Sequence, residues 1–545
     1  MEHVVEPVSF TVFIIKTSTG FPNRVQLNAS IDVVQFLLNH GLALRGHDES
    51  ESSLKKGNFL EIETIKAIIK DLDGDYFSLL VDQSRDVSRK EKMAICLQFV
   101  DKKRFVMEAF IGLVHVKDTS SLSLKKAIVN VAHRSLTLDY VRGQCYDGAR
   151  NMRGELGDLK TLIRQESRSD HSVHCFAHQL QLTLVVVSKK CVQIQELVLL
   201  TSNILNVLGA SFKCVDEFRE SQKEKLQEAL DMGELEMGRG LNQELGLIKV
   251  GDTRWESHYK SFGNFISNFA FIVDILDSLV ENASTSEEKA SALGFLRSYQ
   301  TFETIFLLHL MTDVLGIIND LNMSLQKKEQ DIANAMILVQ VAKRILQALR
   351  DNEFDPILKK NVGWDSLKEK IELQKLNDHF NEVTSDLING VACLKPIDTF
   401  SSFDIQKILV MAKLYPNNFD EFNMGVLENQ IVNYIIDVRD IDKRFFNLDE
   451  LGKLSRKLVE TKKHLTYPLV FLLVKFALLL PVATASVERA FPAMKYIKND
   501  LQNRMDDEFL DGCIVPYVEK RVFKNISNEC IIEIFQGMKR RRMHL

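Results

Sequence analysis

The chain has 545 residues, 45% of them apolar and 26% charged, a globular balance too long for one core, so about two to four domains are expected. Only nine prolines and 25 glycines occur, which favours long helices over a turn-rich all-β fold. A net charge of −5 excludes a globally basic nucleic-acid coat and leaves room for a local basic groove.

The eight cysteines include no Cys-x-x-Cys pair, which argues against a disulfide framework and against a zinc module built on such pairs. The apolar patch Phe10–Ile15 is short and lacks a basic leader, so it is not a signal peptide. The longest apolar run, Leu469–Leu480, is interrupted by Lys475 and closed by Pro481. It is too short to span a bilayer, and no membrane partner is expected. A reducing compartment, cytosol or nucleus, follows from the cysteine usage.

In chain order, Ala29–Leu44 carries an amphipathic helix pattern and Arg45–Asn58 a polar connector. Tyr76–Asp82 is a nearly continuous apolar strand. Met93–Val100 and Phe105–Val116 are two more, joined across Asp101–Arg104 as a hairpin. Asp118 and Thr119 cap a helix running to about Leu136, and Val141–Tyr146 is a fourth strand, followed by a helix over Gly148–Gln165. Ser172–Cys175 is a short fifth strand leading into a helix over Phe176–Ser188. Beyond it the strand signals vanish. Gln193–Leu208, Phe262–Leu279, Glu303–Leu321 and Asp331–Leu349 have helical apolar spacing, and Leu458–Glu519 is again helical.

The order β-β-β-α-β-α-β-α predicts a mixed sheet with helices on its faces, an order that matches the ribonuclease H-like arrangement. The expected class is therefore α/β: a ribonuclease H-like mixed five-stranded sheet interrupted by a large helical domain. The expected segments are 1–61 (helix and connector), 62–190 (first part of the core), 191–439 (helical insertion), 440–525 (a return that completes the core) and 526–545 (basic tail).

Asp82 ends the first strand and Asp147 the fourth. If those strands are neighbours, the two carboxylates converge at one end of the sheet, where open α/β sheets bind ligands. Paired carboxylates raise each other's pKa unless a divalent cation lies between them. An isolated Asp at a strand end is most often a cap or a turn former.

The surrounding sequence is more specific. "LLVDQSRDVSRKEKMAICLQFV" and "VRGQCYDGARNMRGELGDLK" resemble the first two catalytic blocks of hAT-superfamily DNA transposases, nearest the branch of TTF-type zinc-finger proteins with a hAT dimerisation domain. "VHCFAHQLQLTL" is similar to the family's Cys-x-x-His block, and "GDTRWESHYKSF" to its Arg-Trp block. "YPLVFLLVKFALLLPVATASVERAFPAMKYIKNDLQNRMDD" resembles the C-terminal dimerisation region. The resemblance implies a Mg²⁺- or Mn²⁺-dependent DNA cleavage and strand-transfer enzyme, acting in the nucleus as a homodimer or higher homo-oligomer. It implies Asp82, Asp147 and Glu488 as catalytic, metal-binding acids. Glu488 rests on the resemblance alone. The resemblance also implies that Trp255 stacks on a flipped base; pinning two helices is the other reading. Arg254 either contacts phosphate or caps a helix. Cys175 and His178 support the site by packing rather than as a zinc pair. Lys539–Arg542 is either a nuclear localisation signal or a solvated chain end.

The chain also departs from the family pattern. No N-terminal zinc-finger pattern occurs, and the stretches Ile62–Tyr76 and Asp355–Gln374 stand where relatives are longer. Gln83 replaces a common acid, Arg150 a small residue, and Pro492 falls four residues after Glu488, where it would clash with that residue's carbonyl inside one helix. These features weigh against activity and support an alternative: a catalytically inactive remnant that dimerises and binds DNA. The helix over Tyr467–Leu480 is apolar on nearly all sides, so it must be covered either by its own chain or by a second subunit.

Overall fold

The computed structural model describes residues 59–132, 136–147, 158–210, 220, 255–283, 285–328, 330–351, 385–499 and 505–530. The helix expected over Ala29–Leu44, the sites at Arg150 and Arg254, most of Gly148–Gln165 and the tail cluster Lys539–Arg542 lie outside the described residues. The described residues form two compact units. One comprises those of Met1–Phe176, Gln326–Ala335 and Glu382–Leu545, the other those of Ala177–Leu325 and Met336–Asn381. The expected insertion ran from 191 to 439; the described residues of 385–439 instead belong with the first unit.

The first unit is built on a mixed five-stranded sheet, so the class is α/β. Its strands are β1 (Phe77–Arg85), β2 (Glu91–Val100), β3 (Val106–His115), β4 (Val141–Tyr146) and β5 (His171–His174), in the order β3-β2-β1-β4-β5. β1 pairs antiparallel with β2 and parallel with β4; β4 pairs parallel with β5.

The two hairpins use one local device. In each, an Asp opens the turn and its carboxylate accepts from the backbone N–H four residues on: Asp86 from Lys90 and Asp101 from Phe105, both at 2.8 Å. Arg89 (φ 61°) and Arg104 (φ 68°) take the left-handed conformation that closes each loop. Of these hairpins, only the second was legible as a turn.

Alternation along the strands divides the sheet into two faces. On one, Phe77, Leu79, Val81, Met93, Ile95 and Leu97 form a core with Leu124 and Ile128 of the helix Ser121–Ala132. On the other, Ser78, Leu80 and Asp82 face the C-terminal segment. Ser78 Oγ donates to Leu479 O, and Gln98 Nε2 donates to Leu478 O at 2.9 Å. Gly143 has no room for a side chain: a Cβ there would lie 2.6 Å from Ser78 Oγ, 2.8 Å from Pro481 Cδ and 2.9 Å from Leu479 O. β3 is an edge strand, but Glu519 and Asp511 accept from the backbone N–H groups of Phe110 and Leu113, each at 2.7 Å, which covers that edge.

Three expectations are corrected. The helix Pro468–Leu479 is enclosed by its own chain: Leu473, Val474, Phe476, Ala477 and Leu479 are fully buried, so its apolarity gives no argument for a second subunit. Pro492 does not share a helix with Glu488. One short helix, Ala485–Glu488, ends there, and Ala490–Ile497 begins after Arg489, with Pro492 in its first turn, where a missing N–H costs no intrahelical bond. The single helix expected over Phe262–Leu279 is two, Trp255–Ser267 and Phe269–Asn282, bent by 78° at Asn268, whose side chain donates to Asn264 O at 2.9 Å.

The second unit is helical. Leu197, Ile204, Phe262, Phe265, Leu276 and Leu308 belong to its core, and Tyr299 donates its buried hydroxyl to Phe265 O at 2.8 Å. By length and composition alone, two helices, Phe302–Leu325 and Ile332–Asp351, are long and apolar enough to cross a membrane, although Leu307, Leu308, Met311 and Leu315 of the first are buried in this core.

Candidate functional site

Pairing Val81 with Tyr146 in a parallel ladder puts Asp82 and Asp147 side by side, each one step past that pair. Asp147 follows the end of β4, whereas Asp82 does not end β1 as expected but pairs with Ala94 in a strand that runs on to Arg85. The third acid arrives from the far end of the chain. After Leu479 the backbone runs across the sheet: Phe176 N–H donates to Val482 O at 3.0 Å, and Thr484 N–H donates to Cys175 Sγ at 3.4 Å. The short helix Ala485–Glu488 then brings Glu488 toward the two aspartates.

The electrostatics register that convergence. Burial, then the charges of Asp147 and Glu488, push the Asp82 carboxyl up to about 8, against the pull of the Gln83 N–H that it accepts at 2.8 Å. Asp82 is therefore largely protonated at neutral pH. All three side chains offer only oxygen ligands, which suits a hard divalent cation, and a cation would relieve their repulsion. As they stand, no three His, Cys, Asp or Glu among the described residues form a set that could hold a metal ion.

Thr484 was not singled out by sequence reasoning. It is buried, and its Oγ1 lies 3.3 Å from both Cys175 Sγ and Glu488 Oε1, so its one hydroxyl proton serves either the sulfur or the carboxylate. Cys175, at the end of β5, is thereby joined to the segment carrying Glu488. No periodicity marks Thr484 in "PVATASVE". His178 lies half-buried in the first turn of the helix Phe176–Lys190. Trp255 opens the helix Trp255–Ser267, but its side chain, like Arg254, is outside what is described. Gln83 alternates to the opposite sheet face from Asp82, and its Nε2 is buried with no hydrogen-bond partner among the described residues. An acid there would not join the cluster.

Residues 16–62 and 62–157 match the family described as DUF4371: ZMYM1/FAM200, RNase-like domain. That domain family is related to hAT transposases. The match includes Asp82 and Asp147 and stops before Glu488.

A pH dependence follows. Where a carboxyl's folded pKa lies above its unfolded value of about 4, the unfolded chain releases the proton first, so stability falls as pH rises from about 4 to about 8. Asp170, pushed up to about 8 by burial, adds a slope of the same sign. In metal-free buffer, Asp82→Asn should remove only its own share. Its melting temperature is expected to gain on the wild type by a few degrees as pH rises through this window. Parallel curves would mean that the Asp82 carboxyl is ordinary.

Proposed function

We propose that this chain is a transposase-derived protein of the hAT type whose first unit is a ribonuclease H-like, DNA-cleaving core. One observation carries the reading: Asp82 is electrostatically coupled to Asp147 beside it and to Glu488 from the C-terminal segment. Two Mg²⁺ or Mn²⁺ ions, when bound, would supply an activated water and steady the leaving oxygen in an in-line displacement at phosphate. The chain's own part is to hold them through Asp82, Asp147 and Glu488, with Cys175 and Thr484 fixing the segment that presents Glu488. The substrate is DNA, nicked and then joined through a freed 3′-hydroxyl, and the compartment is the nucleus. Arg254 and Trp255 are assigned to the DNA.

Purified protein is expected to nick supercoiled plasmid with Mg²⁺ or Mn²⁺ and not in EDTA, and Asp147→Asn to lower the rate by at least about a hundredfold. Equal nicking by both proteins would point to a contaminating nuclease. No nicking by a folded wild type would favour the second reading, a non-enzymatic remnant, for which the absence of a closed three-ligand set among the described residues speaks.

The homodimer assigned to 440–525 has to use other surface than the covered helix Pro468–Leu479. Ile441 and Leu465, 68% and 71% exposed, are available in that region. Sedimentation is expected to give a dimer at micromolar concentration that Leu465→Asp weakens; a wild-type monomer would remove the dimer.

A further inference from the structure

Two tyrosines of the first unit stack at its surface. Tyr496, on the helix Ala490–Ile497, and Tyr517, near the end of the helix Asp507–Val518, have ring centroids 5.9 Å apart and planes 25° from parallel. Tyr496 is 56% exposed. Lys520 Nζ lies 4.1 Å from the Tyr517 ring centre, and exposed Lys495 precedes Tyr496. Neither lysine has a carboxylate partner among the described residues.

The stack has a rigid base. Met494 and Ile497 are fully buried beside Tyr496, and Lys498 is held by buried Asp86 at 2.9 Å. Tyr496 lies on the helix that follows the one ending at Glu488. An exposed Tyr496 backed by a half-buried Tyr517 and flanked by lysines is what an unpaired base and its phosphate need: a π-face to stack on and positive charge for the backbone.

We propose that the Tyr496–Tyr517 stack with Lys495 and Lys520 is a binding platform for single-stranded nucleic acid. It rests on the nucleic-acid reading above and adds to it a place where a strand leaving the acid cluster is held.

The test is fluorescence anisotropy of the full chain with labelled oligothymidine, oligouridine and an oligothymidine–oligoadenosine duplex. Wild type should bind either single strand more tightly than the duplex, and the better of the two names the strand. Tyr496→Ala should weaken strand binding on the order of tenfold, and Tyr496→Phe should retain it. Lys520→Ala should flatten the logarithmic salt dependence by about 0.7. Tyr496 is exposed and Lys520 only half-buried, so unchanged melting temperatures are expected for the variants at both sites. Wild type that binds no strand, that prefers the duplex, or that is unaffected by Tyr496→Ala would overturn the proposal. A protein that nicks DNA yet is indifferent to Tyr496→Ala loses the platform alone. One that binds through Tyr496 and nicks nothing loses the cleavage reading and keeps the platform.

Discussion

Gly143→Ala is expected to abolish metal-dependent nicking although residue 143 touches no substrate. The added methyl would stand 2.8 Å from Pro481 Cδ and 2.9 Å from Leu479 O, and backbone and proline ring cannot swing aside as a flexible side chain would. The third close atom, Ser78 Oγ, is itself bonded to Leu479 O. The segment must therefore lift, and Glu488, a few residues on, lifts with it. Overpacking of this kind costs about 1–3 kcal/mol, so the protein should still fold with a lowered melting temperature. The informative comparison is Gly143→Ala with Asp147→Asn, which should lose nicking without the thermal cost. Unchanged nicking in Gly143→Ala would break the link between segment docking and activity.

The largest stability effect is expected at Asp86. Its side chain and that of Lys498 are 0% and 1% exposed and meet at 2.9 Å. Asp86→Ala would leave an ammonium buried without its counter-charge, a change that costs about 3–5 kcal/mol. Asp86→Ala with Lys498→Met removes both charges and should recover most of that loss. A double variant no more stable than the single one would sink the argument. Burial raises the Asp86 carboxyl, but the bonds from Lys498 and the Lys90 N–H outweigh it, and the group sits below its ordinary value. The pair's contribution is thus present above about pH 4 and lost as pH falls through the lowered pKa. Asp86→Ala should lack that share of the acid destabilisation.

The strands were the most legible part of the fold, because short β-branched and apolar runs between turn residues have few other uses. Val141–Tyr146 was read to the residue, whereas the adjacency of β1 and β4 was only a condition of the reading and is supplied by the fold. What sequence could not supply was tertiary. Nothing in the apolar run before Pro481 tells whether its own chain or a second subunit covers it, since both bury the same side chains. The bend at Asn268, whose side chain donates to Asn264 O, is masked by the unbroken apolar spacing around it. Asp147 follows the strand end expected for it, whereas β1 runs three residues past Asp82, so its expected strand end was placed too early. The link from Cys175 through Thr484 to Glu488 joins residues remote in sequence, and only the folded chain places them together.

The close seat of Leu478–Pro481 against Ser78, Gln98 and Gly143 also governs when the acid cluster can exist during synthesis. A ribosome releases β1 to β5 long before it reaches Glu488, and domains generally fold as they emerge. Until then the sheet face bearing Leu80, Cys96 and Cys145 has no cover, an apolar surface that favours chaperone capture or aggregation. A message cut short within the second unit would leave that face permanently open and lack the third carboxylate. Such a product stays open to chaperone capture or aggregation for as long as that face is uncovered.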